Sequence, residues 1–67
     1  MTVAKVSEIT SSSSKGFNDA ISQGIKRANK TLKNITSAWI ADQEVMLDKG
    51  KIISYRVRMR ITFILEG

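Results

Sequence analysis

The sequence contains no cysteine and no histidine. The first absence excludes a disulfide staple and a thiolate metal site. The second removes the commonest neutral metal ligand and the commonest acid–base group. No glycine-rich phosphate loop is present among the four glycines. The six acids, Glu8, Asp19, Asp42, Glu44, Asp48 and Glu66, are scattered without metal-ligand spacing. These absences together argue against an enzyme. No apolar run approaches the roughly 18 residues of a membrane span. The opening MTVAKVSEIT lacks the apolar region of a signal peptide. The expectation is a soluble, cytoplasmic protein.

Also short is the chain itself, at 67 residues. One domain over residues 1–67 is the most it allows. A domain of this size buries only roughly 60% of the surface its unfolded chain exposes. With no disulfide and no metal to reinforce it, self-association is the expected support. The hydrophobic fraction of 42% is that of a globular protein rather than a disordered one. The net charge of +5 raises an anionic partner as a question.

What is present is organised by period. In ISYRVRMRITFIL, residues 53–65, one parity reads Ile53, Tyr55, Val57, Met59, Ile61, Phe63 and Leu65. The other carries Ser54, Arg56, Arg58, Arg60 and Thr62. Such alternation predicts a strand with one face on a core. Residues 3–10 are rich in β-branched side chains and predict a first strand. The serine run 11–14 then precedes a helical stripe of Phe17, Ala20, Ile21, Gly24, Ile25, Ala28 and Leu32. It predicts a helix over 15–33 with Ser13 or Ser14 as its cap. Asp19 near its start and Lys26, Arg27, Lys30 and Lys33 towards its end match the helix dipole. Gly24 within the stripe implies a close approach of the helix to the sheet.

Residues 35–47 predict a second strand, Asp48-Lys49-Gly50 a turn, and 51–65 the third strand. The order β-α-β-β is an α+β fold. An all-antiparallel sheet then requires the order 1-3-2, with the alternating third strand in the middle. The expected core is Phe17, Ile21, Ile25, Leu32, Val57, Ile61 and Phe63. Pattern does not decide which side of the second strand faces the helix, because both parities are mixed. One is Ile35, Ser37, Trp39, Ala41, Gln43, Val45 and Leu47; the other is Thr36, Ala38, Ile40, Asp42, Glu44 and Met46.

The element order, the stretches TSSSSKGF and AISQGIKRANKTLKNI, and the terminal YRVRMRITFIL resemble the dodecins. The likeness spans essentially the whole chain. It implies a non-enzymatic protein assembled as a hollow homododecamer, each subunit a three-stranded sheet half wrapping one helix. It also implies a small-molecule ligand. Many dodecins bind flavins (FMN, riboflavin or FAD) in pairs at two-fold subunit contacts. The flavins stack between tryptophans, and a glutamine on the third strand binds the ring edge. At those two positions this sequence has Ser37 and Arg56. Arginine donates hydrogen bonds but cannot accept them. In this the chain is similar to a branch of the family that lacks both residues and is associated with calcium.

The resemblance therefore leaves Ser37, Trp39 and Arg56 as the cofactor-binding candidates. Trp39 lies two residues after Ser37, so a stacking surface displaced by roughly 7 Å along the strand is one reading. Packing at a subunit contact, under an arginine as a cation–π pair, is the other. Arg56, Arg58 and Arg60 are expected at subunit contacts, matched by acids of neighbouring copies such as Asp42, Glu44 and Glu66, with phosphate-bearing ligands as the second reading. Asp42 and Glu44 are the candidate calcium ligands, two where the ion needs 6–8 oxygens. Single-stranded nucleic acid is the remaining alternative, on the basic strand face with Trp39. The core parity of Tyr55 and the absence of an RNP-like motif argue against it.

Overall fold

In a computed structural model, residues 2–65 are described. They form β1 (Val3–Ser13), α1 (Phe17–Ala28), β2 (Ile35–Asp48) and β3 (Lys51–Leu65). The strands make one antiparallel sheet in the order β1-β3-β2, as the element order requires. Among the described residues, no helix is long and apolar enough to cross a membrane.

The helix is shorter than its stripe. It begins after Gly16 rather than at a serine cap, and Gly16 supplies no side-chain hydrogen bond. Ser13 acts one step further back. Its Oγ accepts from the Lys15 N–H at 3.0 Å and donates to Asp19 Oδ2 at 2.5 Å, tying the strand end to the first helical turn. At the other end the bonding tightens after Ala28. The N–H groups of Lys30 and Thr31 reach back only three residues, to Arg27 and Ala28. Asn29 and Thr31 are weak helix formers, and the last turn is 3₁₀-like. Asn34 then takes a positive φ of 62° and swings the chain into β2.

The serine run is mostly strand. Ser11, Ser12 and Ser13 pair with Val57, Arg56 and Tyr55 of β3, which extends β1 three residues beyond the predicted Thr10. Ser11 lies against Gly24. A Cβ added to Gly24 would lie 2.9 Å from Ser11 Cβ and 2.5 Å from Met59 Cε. Gly24 and Ser11 together let the helix sit close on β1 and β3.

The core lies beneath that contact. Ala20, Val57, Met59 and Ile61 are fully buried, with Ile9, Phe17, Ile21, Ile25, Leu32, Ile35 and Ala38 packed around them. Phe17 meets Tyr55 edge to face at 5.2 Å and anchors the start of the helix. Phe63, expected in this cluster, is only half-buried and lies outside it. The reason is length. The 12-residue helix spans about 18 Å. The molecule is 51 Å long. The sheet therefore overhangs the helix. At its ends Val3, Val6 and Leu65, and Leu47, Ile52 and Ile53, remain exposed.

The hairpin turn has two residues, Lys49 and Gly50, with φ of 52° and 79°. Both being positive is the signature of the type I′ turn, whose twist suits a hairpin. The ambiguity of β2 also has a structural cause. Its register shifts between Ile35 and Ser37 and again between Ile40 and Asp42. Each shift exchanges the faces. Ile35, then Ala38 and Ile40, then Gln43 and Val45 lie opposite core-facing residues of β3. Neither simple parity describes that set.

Candidate functional site

The sheet face turned away from α1 is covered by no described element of the chain. Arg56, Arg58 and Arg60 of β3 form its central row, between residues of β1 and β2. Register decides their neighbours. Arg60 lies between Glu8 and Trp39, Arg58 between Thr10 and Asp42, and Arg56 between Ser12 and Glu44. Directly opposed residues share a face, and opposite charges there attract.

Each arginine meets one carboxylate of its own chain. Arg56 Nη1 is 3.4 Å from Glu44 Oε1, and Arg60 Nε is 3.3 Å from Glu8 Oε2. Arg58 donates through Nη2 to Asp42 Oδ2. Intersubunit carboxylates were expected for these arginines. The antiparallel register gives each of them a partner within its own chain. Glu8 was missed as a partner, although the same alternation on β1 marks it: Val6, Glu8 and Thr10 share a parity. Glu66, a third acid expected near the row, lies outside the described residues. The three ion pairs are about half exposed, so each contributes little to stability. They fix the direction of the side chains and balance the charge of the surface.

Trp39 is 68% exposed, and the Arg60 guanidinium carbon lies 5.5 Å from its ring centroid. This is the cation–π arrangement. Glu8, Arg60 and Trp39 thus form one row across all three strands. Ser37 is exposed on the same face, opposite Thr62. Arg56 is six residues along β3 from Thr62, or roughly 20 Å. Within one chain, Ser37 and Trp39 are neighbours and Arg56 is not. A ring touching both Ser37 and Arg56 must touch two chains.

Asp42 and Glu44 also share this face, beside a shallow depression of about 470 Å³ lined with Thr10, Arg56 and Arg58. Both carboxylates are engaged by arginines. Among the described residues, no three acids gather where they could hold a metal ion. At the opposite side of the molecule, Asp19 titrates below the usual carboxylate range. The Ser13 hydrogen bond is the main cause, helped by Gln23 and by the charge of Lys15, and partial desolvation opposes it.

A β-α-β-β chain of this length, with a central alternating strand and a single helix on one side, defines a class of small α+β proteins. A sequence model described as dodecin matches residues 3–66, and the chain belongs to the dodecin family. It is 27% identical over 63 residues to the calcium dodecin of Mycobacterium tuberculosis, covering 94% of this chain and 89% of that protein. It is 30% identical to the solved dodecin from Streptomyces davaonensis, covering 98% of this chain and 97% of that one, with a TM-score of 0.93. A point mutant of the Thermus thermophilus dodecin superposes with a TM-score of 0.94 at 25% identity, covering 100% and 98%.

Proposed function

We propose that the protein is a non-enzymatic homododecamer that holds a small planar aromatic ligand of the flavin type on the outer sheet face, at contacts between subunits. The observation that carries this is Trp39, 68% exposed on a face that the rest of the chain leaves open. A large aromatic is seldom left so bare without a partner. The exposed apolar ends of the sheet support assembly for the same reason.

The residues present fit a stacked ring in part. Trp39 supplies an aromatic surface, backed by Arg60. Ser37 offers none, and Arg56, held by Glu44, replaces an amide with a donor. Binding is therefore weak, since each missing stacking contact forfeits about 0.5–1.5 kcal/mol. When bound, a flavin would bring redox-active chemistry, and the chain would contribute only binding and shielding. The test is titration of riboflavin into wild type and Trp39→Ala, followed by flavin fluorescence. Quenching that disappears in Trp39→Ala supports the reading. Equal quenching in both, or none in either, refutes it.

Calcium is a second reading, favoured by the M. tuberculosis relative, which is a calcium dodecin. Here Asp42 and Glu44 would be the ligands, gathered from several copies. They would first have to leave Arg58 and Arg56. Calcium that raises the melting temperature of wild type but not of Asp42→Asn would establish it.

A further inference from the structure

We infer that this face selects an uncharged planar ring over the same ring carrying a phosphate, with Glu8, Asp42 and Glu44 as the selectivity determinants. The inference rests on the ligand-binding reading above and adds the class of ligand.

Read along the sequence, three arginines in alternate positions on a chain of net charge +5 suggest a phosphate site. The geometry points the other way. Each guanidinium has a carboxylate of the same chain as its partner. From Val6 to Ser12 on β1, Ser37 to Glu44 on β2 and Arg56 to Thr62 on β3, the face carries three cations and three anions. It is neutral. The net positive charge of the chain lies elsewhere, on the lysines and Arg27. A second copy of the same face would add equal numbers of both signs.

The consequence for a ligand is direct. A phosphate carries a charge of about −1.5 to −2 at pH 7. To bind Arg60 it must displace Glu8 and then sit beside that displaced carboxylate. To bind Arg58 it meets Asp42 in the same way. An uncharged ring asks for neither exchange. It needs only the surface of Trp39, whose backing by Arg60 is held in direction by Glu8.

Riboflavin and FMN share one ring and differ in one phosphate, so their affinity ratio isolates the effect. Both are titrated into the assembled protein at low and high salt, with flavin fluorescence and the emission of the single tryptophan as readouts. Wild type is expected to bind riboflavin at least as tightly as FMN, with a ratio that salt leaves nearly unchanged. Glu8→Gln unmasks Arg60 and should move the ratio towards FMN by about two- to five-fold at low salt, an effect that salt removes. Asp42→Asn, which unmasks Arg58, should move it the same way. A wild-type preference for FMN of tenfold or more, collapsing with salt, overturns the inference and leaves the ligand-binding reading standing. Failure of wild type to bind either compound overturns both.

Discussion

The two faces of β3 are built from alternate residues of one 15-residue strand, yet they are finished in different ways. The inner face, Val57, Met59 and Ile61, is fully buried, because the chain supplies its own cover in α1. The outer face, Arg56, Arg58 and Arg60, is satisfied in charge by Glu44, Asp42 and Glu8 but is covered by nothing in the described chain. Charge is local, and a register can pair it within a molecule. Area is not, and one 12-residue helix shields only part of one side. A row of arginines is therefore not by itself a cationic surface. The unfinished quantity here is apolar and aromatic area, concentrated at Trp39 and the sheet ends.

The comparison predicts unequal sensitivity. Met59→Ala, on the inner face, should lose about 2–5 kcal/mol in chemical denaturation. Denaturation is best read at fixed protein concentration, because assembly couples to stability. Gly24→Ala forces a methyl group against Met59 and Ser11 and should lose about 1–3 kcal/mol. A loss as large for Arg58→Ala as for Met59→Ala would break the comparison. The expected cost of breaking that exposed pair is about 0.2–1 kcal/mol. Smaller still is Lys30→Gln beyond the helix end, expected within about 0.5 kcal/mol of wild type.

A pH series sharpens the picture from outside both faces. The folded-state pKa of Asp19 is depressed, chiefly by Ser13. Its contribution is present above the ordinary carboxylate pKa and is lost as pH falls through the folded value. Ser13→Ala should lower stability at neutral pH and flatten the fall on acidification, as measured by melting temperature against pH. An unchanged acid profile in Ser13→Ala would refute that assignment.

Much of this was legible in the sequence. The alternation of β3, the turn at Lys49 and Gly50 and the demand for a small residue at Gly24 all follow from residue type and period, and the sheet order follows from the connections. The limits of the helix were less so. Its apolar stripe runs on through Leu32, while the hydrogen bonding tightens after Ala28. Ser11 was hidden because its contact with Gly24 is tertiary and lies inside a run that reads as a cap. The facing of β2 could not be read at all. Two of the three register shifts in its pairing with β3 fall at Thr36 and Ala41, and neither residue marks a bulge. On the candidate face, the likeness singled out Ser37, Trp39 and Arg56, and spacing placed Asp42 and Glu44 together. Which acid serves which arginine depended on register, and Glu8 emerged only with it. Within the chain, the group that lies over Trp39 is Arg60, and that contact too follows from register rather than from a sequence period.

The claim that the outer face is finished by other copies is tested most directly by the native mass of the purified protein at micromolar concentration. The account predicts one species at twelve times the 7.4 kDa chain mass. A stable, folded monomer of 7.4 kDa, with Trp39 still open to solvent, would contradict it.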